Sequence, residues 1–75
     1  MHIEQLEYIV KVAETGSISI AAEKLHVSQS GISQSITRLE DELGVKLFTR
    51  HRRLGAVPTN EGKTLIKKAY EVLVT

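Results

Sequence analysis

Apolar residues recur along this chain in helical steps, give way once to a short alternating stretch, and then resume. At roughly 100° per residue, Ile3, Leu6, Ile9, Val10 and Ala13 share one face, which predicts a first helix closed by Thr15 and Gly16. Gly16 suits the left-handed position beyond a helix end. Tyr8 and Val12 fall on the other side, one turn apart and together with Gln5, and this second strip invites a partner surface. Ser17 is placed to cap a second helix over 18–25, with Ile18, Ala21, Ala22 and Leu25 inward. The two alanines let another helix cross closely. His26 and Val27 leave room only for a tight turn, and histidine tolerates positive φ better than most residues. As a ligand or base His26 has no evident partner.

The next stretch, 28–43, places Ile32, Ile36, Leu39 and Leu43 on one narrow stripe that can be buried, with Ser28 at its start. On the opposite arc lie Ser30, Ser33, Gln34, Thr37 and Arg38, with Gln29 in the exposed first turn. An ordinary solvated face would carry Glu and Lys pairs. Here Arg38 is the one charged residue before Leu39, and the acids Glu40, Asp41 and Glu42 come at the end, on the helix exterior. Gln and Ser both donate and accept, so the arc suits base edges in a DNA groove, where carboxylates beside phosphates would be repelled. A Ser-rich helix that faces water satisfies the same pattern. A short helix with small residues, a tight turn and a half-polar helix make a helix-turn-helix, over about 18–37, although any small helical bundle shares such spacing.

After Gly44 the pattern alternates, with Val45, Leu47 and Phe48 inward, then Arg50 and the basic run from His51 to Arg53, then Leu54 and Gly55. Two short extended pieces joined by a Gly-containing loop predict a hairpin, with Pro58 at an edge or end. Its tip carries Arg52 and Arg53, whose guanidinium groups can bind phosphates or enter a minor groove, or simply be solvated. Thr59 is placed to cap a last helix, in which Leu65, Ala69, Val72 and Leu73 form a seam resembling the start of a coiled coil. No stop signal closes this helix, and Thr75 reads as a cut.

Composition narrows the class. Seventy-five residues make one small domain with a modest core, a size at which help from a partner subunit is common, so an oligomer is expected. Cysteine is absent, which excludes disulfides and thiolate-held metal. No apolar run approaches a membrane span and the start lacks a signal-peptide pattern, so no membrane association and a cytoplasmic location are expected. The net charge of +1 conceals an asymmetry: residues 1–45 hold three bases against seven acids, net −4, whereas 46–75 hold seven against two, net +5. A basic end is compatible with a polyanionic partner.

Taken as an ordered set, several motifs are highly specific: Gly-Ser at Gly16, Ala-Ala at Ala21, His-Val-Ser-Gln at His26, Arg-Leu-Glu at Arg38, Glu-Leu-Gly at Glu42, Leu-Phe-Thr-Arg at Leu47, and Pro-Thr-Asn-Glu-Gly over 58–62. With the intervening residues they resemble the N-terminal DNA-binding region of LysR-type transcriptional regulators over nearly the whole chain. The resemblance implies a mainly α winged helix-turn-helix: a three-helix core plus a small β-hairpin wing, residues 1–58 with the wing at about 47–58. A long linker helix that dimerises, 59–75, follows. It also implies a C-terminal domain, absent here, that binds a small-molecule effector, with no cofactor or metal in this part.

Carried over to matching positions, Gln29, Ser30, Ser33 and Gln34 face bases in the major groove. Thr37 and Arg38 flank them and reach backbone, Arg50 binds phosphate, as Arg52 can, and Arg53 reaches into the minor groove. The expected partner is double-stranded DNA bearing an inverted repeat, bound by a homodimer through Tyr8, Val12, Leu65, Ala69, Val72 and Leu73, with higher oligomers open to the full-length protein. The chain departs from the common family pattern at Ser30, where Pro is frequent, at Gln34, where Arg is frequent, and in a wing one residue longer with Pro58 in place of Leu. Glutamine pairs with adenine and arginine with guanine, so operator preference does not transfer.

Two other classes fit less well. An enzyme needs converging groups, yet His2, His26 and His51 are far apart, the serines lack a base, and no nucleotide-binding glycine loop is present. A winged helix used only for protein contacts would carry aromatic or aliphatic residues where the 28–43 stretch carries Ser, Gln and Thr. Stacking aromatics for RNA are scarce, namely Tyr8, Phe48 and Tyr70.

Overall fold

The computed structural model describes residues 2–51 and 55–74. Four helices and one hairpin follow in the order α1 (Ile3–Thr15), α2 (Ile18–Leu25), α3 (Gln29–Leu43), β1 (Phe48–His51), β2 (Gly55–Pro58) and α4 (Asn60–Val74). The antiparallel strands pair Phe48 with Pro58, Thr49 with Val57, Arg50 with Ala56 and His51 with Gly55.

Local chemistry sets the boundaries. Gly16 ends α1 at φ 71°, and Ser17 caps α2 by accepting from the Ile20 N–H at 3.1 Å. His26 ends α2 in the left-handed region at φ 58°, and the Val27 N–H donates to the Ala22 carbonyl at 3.0 Å. Ser28 caps α3, its Oγ accepting from the Gly31 N–H at 2.9 Å. Thr59 does the same for α4 through the Gly62 N–H at 3.0 Å. Each hydroxyl satisfies one of the donors that a helix start leaves open.

α1 is the hub, packed against α2, α3, α4 and β2. The core comprises Leu6, Ile9, Val10 and Val12 of α1, Ala21 and Ala22 of α2, Ile32, Ile36 and Leu39 of α3, Leu47, Phe48 and Ala56 of the hairpin region, and Ala69 of α4.

Because α1 has neighbours on several sides, it buries more than one strip, and this corrects the expectation for its second face. Val12 is 0% exposed and Tyr8 is half-buried against the same core, so neither stands out as a separate apolar strip. Gln5 is also buried: its Oε1 accepts from the His2 N–H at 2.8 Å and its Nε2 donates to the Ser35 carbonyl at 3.4 Å. Ile3, expected inward, is 62% exposed in the first turn.

A second correction concerns the end of α3. Leu43, expected on the buried stripe, is exposed, and so is Val45, whereas Glu40, expected outside, is 7% exposed. The chain reverses at Gly44, φ 71°, and runs back over Glu40. The carboxylate Oε2 then accepts from the N–H groups of Leu47 at 2.7 Å and Phe48 at 3.4 Å. The carbonyl of Glu40 accepts from Gly44 at 2.8 Å and Val45 at 3.2 Å. The last turn thus projects past the core, and a hydrogen-bonded carboxylate takes the inward place.

The four residues expected to form a seam on α4 differ in exposure. Ala69 is buried and Leu65 and Leu73 are half-buried on this chain's own core, while Val72 is 59% exposed. Ala69 is thus enclosed within the protomer, and Leu65 and Leu73 keep part of their surface exposed.

Glu40→Ala leaves two N–H groups at the hairpin root without their acceptor and is expected to cost about 1–3 kcal/mol, with Glu40→Gln costing less because an amide oxygen still accepts; urea denaturation midpoints check this. Val12→Asp buries an unpaired charge and is expected to cost more than about 3 kcal/mol, whereas Val72→Asp, at a position 59% exposed, is expected to cost the protomer's own core far less.

Candidate nucleic-acid interface

α3 presents its polar arc to solvent because the buried arc of Ile32, Ile36 and Leu39 is held by α1 and α2. Gln29, Ser30, Gln34, Thr37 and Arg38 are exposed, and Ser33 is half-buried. All six residues expected to meet DNA from this helix therefore lie on one surface. No acid occurs in the first turn, so the positive end of the helix is not neutralised there.

Clefts flank the arc on both sides. One, between α3 and the start of α1, is lined by His2, Glu4, Gln5 and Tyr8 opposite Gln34 and Arg38. Burial, and then the neighbouring Glu4 carboxylate, raise the Tyr8 phenol above its ordinary pKa. The other cleft, between α3 and β1, is lined by Thr37, Glu40, Lys46, Phe48, Thr49 and Arg50. Its rim brings the basic residues Lys46 and Arg50 to the side of the helix whose own arc carries Arg38 alone.

Four side chains of the arc, those of Gln29, Ser30, Ser33 and Thr37, are already bonded to their surroundings. Gln29 Nε2 donates to Ser19 Oγ of α2 at 3.2 Å, tying the two helices of the helix-turn-helix across their turn. Arg50 Nη1 donates to Ser33 Oγ at 2.9 Å, tying the wing to α3. Thr37 Oγ1 donates to the Ser33 carbonyl at 2.9 Å, and the Ser28 and Ser30 hydroxyls share a hydrogen bond at 3.4 Å. Arg50 is brought to Ser33 by the register of the hairpin, in which its partner Ala56 is buried and donates its N–H to the Gly16 carbonyl at 3.1 Å.

The expected wing contacts Arg52 and Arg53 lie outside the described residues. Sequence reasoning missed Ser19 and Lys46 as members of this surface. Ser19 stands ten residues from Gln29, and only the crossing of α2 over α3 brings them together. Lys46 was visible as part of the basic end, but the reversal at Gly44 is what turns it toward Thr37. Among the described residues there is no group of three or more His, Asp or Glu side chains able to hold a metal ion, and no helix long and apolar enough to cross a membrane.

Residues 3–63 match the family described as bacterial regulatory helix-turn-helix protein, lysR family. The chain is 42% identical over 97% of its length to the HTH-type transcriptional regulator BsdA of Bacillus subtilis and covers 25% of that protein. It is 41% identical over 97% of its length to the nitrogen assimilation regulatory protein nac of Escherichia coli and covers 24% of it. It thus spans about a quarter of the length of such relatives. Among solved structures it is similar to the CbnR DBD–DNA complex, at TM-score 0.92 and 38% identity, over 99% of this chain and 84% of that one. It is also similar to a BenM DBD/catB site 1 DNA complex, at TM-score 0.93 and 36% identity, over 99% and 82%.

Proposed function

The chain belongs to the lysR family of bacterial regulatory helix-turn-helix proteins, and from that premise we propose that it binds double-stranded DNA sequence-specifically, with α3 in the major groove and the hairpin on the backbone. The observation that carries this reading is the exposed arc of α3, which runs without a carboxylate from Gln29 to Leu39 and is flanked by Arg50 and Lys46. Gln29, Ser30, Ser33 and Gln34 present donors and acceptors to base edges, which carry the sequence information. Thr37, Arg38 and Arg50, with Arg52 of the tip, serve the phosphates, and Arg53 of the tip serves the minor groove. DNA complexes of similar domains, CbnR and BenM, support this placement.

The same reading divides the chain into a winged helix-turn-helix over 1–58 and a linker helix over 59–75. It assigns the chain to a cytoplasmic regulator whose remaining part takes a small-molecule effector. It makes the active form a homodimer on an inverted repeat. With Ala69 buried and Leu65 and Leu73 partly so on the protomer, the contact between copies falls to the part of α4 left exposed at Val72.

Salt titrations of binding to random and to selected duplexes test the central claim. Affinity for both falls steeply with salt, and a gap between the two persists at each concentration; equal affinity throughout removes sequence specificity. Gln34→Ala narrows that gap by about 1–3 kcal/mol while leaving binding to random duplex nearly intact. Val72→Asp, measured by sedimentation, yields monomers that remain folded.

A further inference from the structure

Arg50 and Ser33 meet on the proposed DNA surface with a hydrogen bond whose direction chemistry dictates. A guanidinium has five N–H donors and no acceptor, so at 2.9 Å the Ser33 hydroxyl oxygen can only accept. The other side-chain pairs of the arc lack this property. Either hydroxyl can donate between Ser28 and Ser30, and the Gln29 amide, which donates to Ser19 of α2, carries an acceptor oxygen that a half-turn of the amide would present instead. A hydroxyl that accepts along one lone pair still has its proton to give. Thr37 returns its hydroxyl to the carbonyl one turn earlier, whereas Ser33 makes no such bond to the Gln29 carbonyl, so with Arg50 on one side its proton is left for the open face of α3.

We infer that Ser33 is a specificity-determining residue whose hydroxyl is polarised into a donor by Arg50. This inference rests on the reading of α3 as a base-contacting helix. In the major groove guanine offers two acceptors, adenine one at N7 and thymine one at O4, whereas the edge of cytosine offers only its N4 donor. A hydroxyl free to rotate accepts from cytosine as readily as it donates to the others. One whose oxygen already accepts from a guanidinium keeps a second lone pair but is a stronger donor and a weaker second acceptor, which disfavours cytosine at the base it meets. Arg50 is then a positioning residue as well as a phosphate ligand. The two roles are compatible because a planar guanidinium can give one N–H to Ser33 and others to a phosphate.

The wing therefore contributes to base selection through a side chain that touches no base. Arg50 stands exposed on β1 and its partner strand is anchored through Ala56 rather than through Arg50 itself, so substitution at this position leaves the fold in place.

The test is selection of bound duplexes from a random pool by the wild-type chain and by Ser33→Ala, Arg50→Met, Arg50→Lys and the Ser33→Ala/Arg50→Met double variant. The wild type is expected to exclude cytosine at one half-site position by about three- to tenfold, the range of a single hydrogen bond. Ser33→Ala abolishes that exclusion. Arg50→Met weakens binding to all sequences and abolishes the exclusion at the same position, while preferences elsewhere are kept. Arg50→Lys, still a pure donor, restores it, and the double variant is no more permissive there than Ser33→Ala. If Arg50→Met lowers affinity by one common factor and leaves every positional preference at its wild-type value, the coupling is wrong although DNA reading stands. If the wild type enriches no sequence at all, the base-contact reading fails first and the inference with it.

Discussion

The peptide of Leu47 is the point at which the parts of this domain are held together. Its side chain is buried, its N–H donates to the Glu40 carboxylate at 2.7 Å, and its carbonyl accepts from the Thr59 N–H at 2.9 Å. Thr59 Oγ1 in turn donates to the Lys46 carbonyl at 2.6 Å. The first turn of α4 lies directly on that carbonyl, and a Cβ at Gly62 would collide with it. One residue thus ties the end of α3, the root of the wing and the start of α4. Since buried backbone groups are costly to leave unpaired, moving any of the three elements alone breaks a bond that has no substitute nearby.

The other end of the hairpin is fixed independently. Gly55 sits at φ 73°, and a side chain there would strike the Gly16 carbonyl, the same oxygen that accepts from Ala56. A two-stranded hairpin is marginal by itself, so these anchors supply the order that its own ladder cannot. The gain is positional: Arg50, on the same face of the hairpin as buried Phe48 and Ala56, is delivered to Ser33 across a gap of seventeen residues in sequence. Orientation of a basic side chain over a polar helix is therefore a property of the hairpin's two backbone anchors, not of the arginine.

Completing the core takes more than the three leading helices. A chain of this size has little interior, and α1 closes it by packing α2 and α3 on one side and α4 on the other. Ala69 is buried and Leu65 and Leu73 are partly so, which leaves less apolar surface on α4 for a second protomer than its sequence suggests. A coiled-coil seam and an intramolecular packing face share the same steps of three and four residues. Only the position of α1 tells them apart.

Much of the architecture is written locally. Ser17, Ser28 and Thr59 as caps, Gly16 and His26 as left-handed turns, the inward Ile32, Ile36 and Leu39 and the polar arc facing away all follow from the periodicity of a helix and the chemistry of its ends. The family resemblance likewise lies in the order of short motifs. What local rules do not contain is which side of a helix meets a neighbour and how many neighbours it has. Val12 is buried because α1 is surrounded, Glu40 is buried because the chain turns back over it at Gly44, and Leu43 is exposed because that reversal ends the core one turn early. The pairings of Ser19 with Gln29 and of Arg50 with Ser33 belong to the same class. The sequence by itself determined the elements and the chemistry each one carries. Contact between those chemistries was decided by the crossing of helices and the anchoring of the wing, since hydrogen bonds depend on distances that only the packed chain sets.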